Sequence, residues 1–146
     1  MFTQGKIFYF TPFYFKNGNT AKPKYFIVLK NIDDSIVIAS LPTRSNKAPS
    51  LIDVTHGCIN HDDRLFNCYA FEEGRVVTDN GFSFPIATYI YGNEVETYEV
   101  SILSSVYQVK NIDYEIKGTL TGAEFTNLYD CLKNSSSIKR GIKRLL

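Results

Sequence analysis

A chain of 146 residues, 44% hydrophobic and 21% charged, is long enough to bury a core of its own and is expected to form a single domain over residues 1–146. Its net charge of +1 excludes a global field for nucleic acid, so any basic surface must be local. No window approaches the roughly 18 apolar residues of a membrane span, and the opening MFTQGKIFYF lacks the apolar stretch and small-residue site of a signal peptide.

The remaining totals point to β-structure in a reducing setting. Ten Tyr and eleven Phe with no Trp suit pleated, half-buried surfaces. Cys58, Cys68 and Cys131 show no CxxC spacing, which speaks against a disulfide framework and against a zinc site. Odd, scattered thiols fit a reducing compartment in which Cys acts as a small apolar residue. The expected location is the cytoplasm.

In chain order, residues 5–10 read as a first strand closed by Thr11-Pro12. Phe13, Tyr14 and Phe15 then sit in a loop-like place before the turn-rich Lys16-Asn17-Gly18-Asn19. Residues 22–44, KPKYFIVLKNIDDSIVIASLPTR, form the clearest unit. Two β-branched and aromatic runs flank Asp33-Asp34-Ser35, so the pair is predicted to be a hairpin. The start of its first strand and the end of its second share one end of a sheet, which would gather Lys22 and Lys24 near Thr43 and Arg44. Residues 45–50, with Lys47 and Pro49, break the pattern; residues 51–61 are predicted as a short strand and loop.

Strands are then expected at residues 65–71, 75–78, 82–91, 100–110 and 112–116, with Pro85 forcing an edge or a bulge and Asn111 a possible bulge site. Thr121 followed by Glu124 is a capping box, and Phe125, Leu128, Tyr129 and Leu132 fall on one helical stripe. Ser137 is placed to cap a final basic helix, IKRGIKRLL. Its charges read either as a phosphate patch or as the wet face of a helix packed through Ile138, Ile142 and Leu145. Short strands with frequent turns and one substantial helix indicate a mainly β fold, a small β-barrel with a C-terminal α-helix and a short basic helical tail.

The order of these features resembles the PemK/MazF-like toxin family. Gly5-Lys6-Ile7 looks like the family's opening strand, and Lys24 to Leu29 (KYFIVL) sits where the family has Arg-Pro, two residues, then Val-Leu. Residues 36–43 resemble its third strand, an apolar run closing on Thr43. Ile116-Lys117-Gly118-Thr119-Leu120 before the capped helix looks like its Ile-Gly-x-Leu turn. The resemblance covers most of the chain, with an enlarged middle at residues 45–95. It implies an SH3-like barrel, a cytoplasmic homodimer, and metal-independent cleavage of single-stranded RNA by a toxin that a cognate antitoxin protein neutralises. No cofactor is expected.

Such cleavage needs a group to take the 2′-hydroxyl proton, fixed positive charge on the phosphorane oxygens, and a donor to the leaving oxygen. The resemblance places Lys24, Thr43 and Arg44 in the catalytic roles. Lys24 stands where the family has Arg if the register follows Val-Leu, and Lys22 does if it follows Pro23; a Lys is a point charge without the planar fork, and Arg44 can supply that fork from the neighbouring strand. The family's Asp-Gln-x-Arg stretch has no counterpart in residues 104–110. RNA-binding candidates are Lys22, Lys16, Tyr14, Lys47 and His61, the aromatic rings stacking on unpaired bases. His56 and His61, near Asp53, Asp62 and Asp63, read as a polar loop, as an RNA-contacting loop, or as a metal site without zincin spacing. The alternative from another class is a non-catalytic SH3-like barrel that binds a protein or nucleic-acid partner.

Overall fold

The computed structural model describes residues 1–16, 18–41, 55–61 and 66–146, with Ser40, Leu41, His61 and Phe66 as backbone only. The fold is mainly β and antiparallel. Five strands form one sheet in the order β7-β3-β2-β1-β8: β1 is Lys6–Phe13, β2 Lys22–Ile32, β3 Ser35–Leu41, β7 Val95–Glu99 and β8 Tyr114–Thr119. A second sheet has the order β4-β5-β6, with β4 at Gly57–His61, β5 at Phe66–Phe71 and β6 at Thr88–Tyr91. Both strand orders are open, and among the described residues no closed barrel forms.

The predicted hairpin is present. Tyr25 pairs with Leu41 and Ile32 with Ser35, and Asp33 takes φ 51° in the turn, a conformation that Asp tolerates better than a branched residue. Its runs FIVL and IVIA carry no polar alternation because the five-stranded sheet is covered on both faces. One face packs Ile7, Ile27, Leu29, Val37 and Ala39 against Tyr69 and Phe71 of β5, Ile90 of β6, and Leu128 and Leu132 of helix α2 (Gly122–Lys133). The other face stacks Phe8, Phe10, Phe13, Phe26, Val28, Ile36 and Ile38 beneath Phe2, Leu103, Tyr107 and Tyr114.

That second face explains a correction. Residues 100–110 do not form a strand: Val100–Val106 is helix α1, which lays Leu103 on the sheet, with Tyr107 packing just beyond its end. Its β-branched residues favour a strand locally, but an uncovered apolar sheet face outweighs a propensity difference of less than about 1 kcal/mol per residue. The helix start is pinned to the hairpin turn, since Val100 N–H donates to the Asp34 carbonyl at 2.7 Å and Ser101 Oγ donates to Asp34 Oδ2 at 3.2 Å. Other expectations shift as well. Strand β1 continues past Pro12 through a register irregularity, so Phe13 is core and not loop. The strand expected over residues 82–91 shortens to Thr88–Tyr91, with a bridge from Ser83 to Val76.

Thr121 caps α2 as expected, its hydroxyl accepting from Glu124 N–H at 3.3 Å. The terminal helix α3 is a single turn, Arg140–Lys143, and Ser137 does not cap it: that hydroxyl meets Ser135 Oγ at 2.9 Å. Ile138 and Ile142 are buried while Lys143 and Arg144 stay in solvent. The largest departure concerns the cysteines. Cys58 of β4 and Cys131 of α2 form a disulfide across a separation of 73 residues, and Cys68 alone is a free thiol. Spacing along the chain does not forecast this pair, because the docking of α2 on the smaller sheet creates it. Among the described residues no helix is long and apolar enough to cross a membrane.

Candidate nucleic-acid interface

Strand pairing brings two of the three lysines of β2, Lys22 and Lys24, to one end of the larger sheet. Lys22 lies opposite Phe13, and Lys24 lies opposite Phe10 one pair before Tyr25–Leu41. A groove of about 430 Å³ opens there, lined by Phe15, Asn19, Thr20, Lys22, Lys24 and Glu94. It adjoins a cleft of about 320 Å³ that shares Phe15 and Glu94 and adds Lys16, Phe26, Asn93, Glu96 and Tyr98. Lys24 is only 8% exposed and lines the groove as a buried residue, whereas Lys22 is exposed on the rim.

Rings and ammonium groups alternate along this surface. Lys22 Nζ lies 5.8 Å from the centre of the Phe15 ring, and Lys16 Nζ lies 4.0 Å above Tyr98 while donating to the Thr97 carbonyl. Three ammonium groups therefore face two carboxylates, Glu94 and Glu96, and the second of these is paired with Lys139. Among the described residues the balance is locally positive, although the whole chain is nearly neutral. Burial pushes the Tyr98 phenol up to about 12, with the charge of Glu96 adding to the effect, so this ring is a neutral surface at working pH.

The other candidates are dispersed. Tyr14 is 59% exposed, yet it faces a different cleft, where its N–H donates to Tyr107 Oη at 2.8 Å and its ring stacks on Tyr107. That cleft, of about 490 Å³, lies between the sheet and α1 and is walled by Phe13, Tyr98, Leu103, Val106 and Tyr107. Lys16 lines both places. His61 pairs with Phe66 in the smaller sheet, away from the strand that carries Lys22 and Lys24. Thr43, Arg44 and Lys47 lie outside the described residues.

No family model and no curated protein matches this chain. The chemistry of the surface therefore rests on its own groups. Lys16, Lys22 and Lys24 can hold phosphate oxygens and Phe15 can stack on a base. Glu94 is the one described carboxylate lining the Lys22–Lys24 groove, and so the one described group there able to accept a proton. Sequence reasoning missed it because it comes from a single 3-10 turn at Gly92–Glu94, far along the chain, where Gly92-Asn93 signals only a turn.

His56 has a structural place instead. Its Nε2 donates to Glu124 Oε1, and its Nδ1 accepts from Glu72 N–H at 3.1 Å. Both ring nitrogens are engaged, which leaves neither to serve as a base in this arrangement. The ring sits edge-on to Tyr69 and Phe71, and the Tyr69 phenol is driven upward by burial and then by the Glu124 charge. The capping-box glutamate thus ties the start of α2 to the residue just before β4, which a reading of local helix signals does not reveal. Among the described residues no cluster of His, Cys, Asp and Glu could hold a metal ion.

Proposed function

We propose that the chain is a metal-independent endoribonuclease toxin that binds single-stranded RNA along the Lys16–Lys22–Lys24 surface. The observation that carries this reading is the convergence of three ammonium groups, the Phe15 ring and the Glu94 carboxylate on the strand end where β3 leads toward Thr43 and Arg44. In the reaction, the 2′-hydroxyl attacks its own phosphate and gives a cyclic phosphate end. Glu94 takes the 2′-proton, Lys24 and Arg44 hold the phosphorane oxygens, and Thr43 assists at the leaving oxygen. An SH3-like barrel, a homodimer, a neutralising antitoxin protein and a cytoplasmic setting go with the same reading.

The direct test is to incubate the purified chain with single-stranded RNA and a metal chelator. Cyclic-phosphate products that disappear in Thr43→Ala and fall steeply in Glu94→Gln support the reading. No cleavage, or the same products from Thr43→Ala, would sink it.

A second reading, a non-catalytic barrel that binds a protein or nucleic-acid partner, has its own support. The aromatic cleft beside α1 continues onto exposed Ile102 and Val106, an apolar surface of the kind that partners cover. Here expression should leave growth unaffected, and Lys24→Ala should change no RNA profile. Growth arrest relieved by Lys24→Ala would remove this alternative.

A further inference from the structure

Two sulfur atoms join an edge strand of the smaller sheet to the helix behind it. Cys58 lies in β4, whose ladder partner among the described residues is β5, and Cys131 lies in α2. Their surroundings are unequal. Cys58 is exposed, whereas Cys131 is 5% exposed. Each sulfur also has a polar group suited to its separated state. Asn60 Nδ2 donates to Cys58 Sγ at 3.3 Å, which favours a thiolate there. The Cys68 carbonyl oxygen lies 3.6 Å from Cys131 Sγ, ready to accept from a Cys131 S–H.

We propose that the Cys58–Cys131 bond is a thiol–disulfide exchange site, entered at Cys58 by a small external dithiol, whose state sets how firmly β4 is held on α2. In the first step a thiolate of the dithiol attacks Cys58 Sγ. The bond to Cys131 breaks, its electron pair leaves on Cys131 Sγ, and that sulfur takes a proton from solvent and donates to the Cys68 carbonyl. The second thiolate of the reagent then attacks its own mixed-disulfide sulfur and expels the Cys58 thiolate, which Asn60 receives. Two electrons have passed from the dithiol, now a disulfide, to the protein. A small external disulfide drives the same steps in reverse.

Access decides the point of entry, since attack in thiol exchange requires an approachable sulfur. Cys68 takes no part. It is 1% exposed, and burial raises its thiol to about 12, so it stays protonated beside the exchanging pair. Once the bond opens, β4 keeps its ladder to β5 and the His56–Glu124 tie just before Gly57, while the five-stranded sheet loses nothing. This inference stands apart from the RNA reading, although disulfides of a reducing compartment are usually of this transient, exchangeable kind.

The test uses the whole chain equilibrated in small dithiol–disulfide buffers of graded poise, with a separate sample treated with glutathione to trap the mixed disulfide, each quenched with acid, alkylated and mapped by mass spectrometry. Two thiols should appear together without denaturant, the trapped mixed disulfide should map to Cys58, and brief alkylation of the reduced chain should label Cys58 about tenfold faster than Cys131. Amide exchange over β4 should speed up about tenfold on reduction while β1, β2 and β3 hold their rates. Asn60→Ala, with an unchanged circular dichroism spectrum, should slow Cys58 labelling about fivefold, the factor one ordinary hydrogen bond represents. A bond that resists millimolar dithiol until the protein is unfolded overturns the proposal. So does a purified chain that never oxidises, a mixed disulfide on Cys131, or β4 exchange that is the same in both states.

Discussion

Glu124 is asked to do two jobs by its position, and the structure gives it a third. At the first turn of α2 its charge complements the helix N-terminus. Its backbone N–H donates to the Thr121 hydroxyl, and because Thr121 N–H donates to the Val77 carbonyl the side chain is left to hold His56. Both partners are largely buried, and Glu124→Ala would leave Nε2 of His56 without an acceptor. We expect a loss of about 1–3 kcal/mol in urea unfolding, with α2 still formed and RNA binding unchanged. The tyrosines make a second residue-level prediction. Tyr98 keeps its proton in the fold up to about 12 against 10.0 for the free phenol, and Cys68 does so up to about 12 against 9.0. Between these values the unfolded chain has released protons that the native chain still holds. Stability is therefore full below about pH 9 and falls as pH rises toward about 12. Urea midpoints taken over that range, alongside tyrosinate absorbance, should show a flat stretch followed by a decline; a midpoint that rises with pH would contradict the burial.

Among the elements, the hairpin was legible and α1 was not, for one physical reason. The β2–β3 pair is specified locally, by β-branched runs around an Asp-Asp turn, and its register follows. Helix α1 is specified by something that lies elsewhere in the sequence, the aromatic face formed by Phe8, Phe10, Phe13 and Phe26. Only Leu103 and Tyr107, four residues apart, hint at a helical face. Leu103→Ala should cost about 2–5 kcal/mol because it empties a filled position beneath the helix, whereas Ile102→Ala, at a position 55% exposed, should stay within about 0.5 kcal/mol. Equal effects would mean that α1 does not seat as described. The candidate interface divides in the same way. Lys22 and Lys24 follow from hairpin geometry, but Glu94 and the Cys58–Cys131 bond arise only when distant segments dock, and no spacing rule encodes them.

For the whole molecule, the nearly balanced charge means that the proposed RNA binding should rest on a few local contacts. With Lys16, Lys22 and Lys24 as the described phosphate contacts, the logarithm of the binding constant should fall with the logarithm of salt at a slope of about −2 for a single strand. A slope left unchanged by Lys22→Ala and Lys16→Ala would move the binding surface to the α3 tail. The free edge of the larger sheet at β7 is also guarded, since Lys16 occupies the Thr97 carbonyl and Glu96 pairs with Lys139. Such charges on an edge oppose strand-to-strand association between copies.

The strand order β7-β3-β2-β1-β8 has a consequence for how a ribosome delivers this chain. The first three strands emerge as a finished meander, Lys6 through Leu41, with aromatic side chains on both faces and a bare edge at each side. The strand that closes one edge begins at Val95, and the strand that closes the other ends at Thr119. At about 5–20 residues per second, several seconds pass between the meander and its last border. Until β7 has emerged the nascent chain offers two open ladders to any neighbour on the same message, and one remains open until Thr119. Slowing translation after residue 41 should therefore lower the soluble yield, while a pause placed after Thr119 should leave it unchanged.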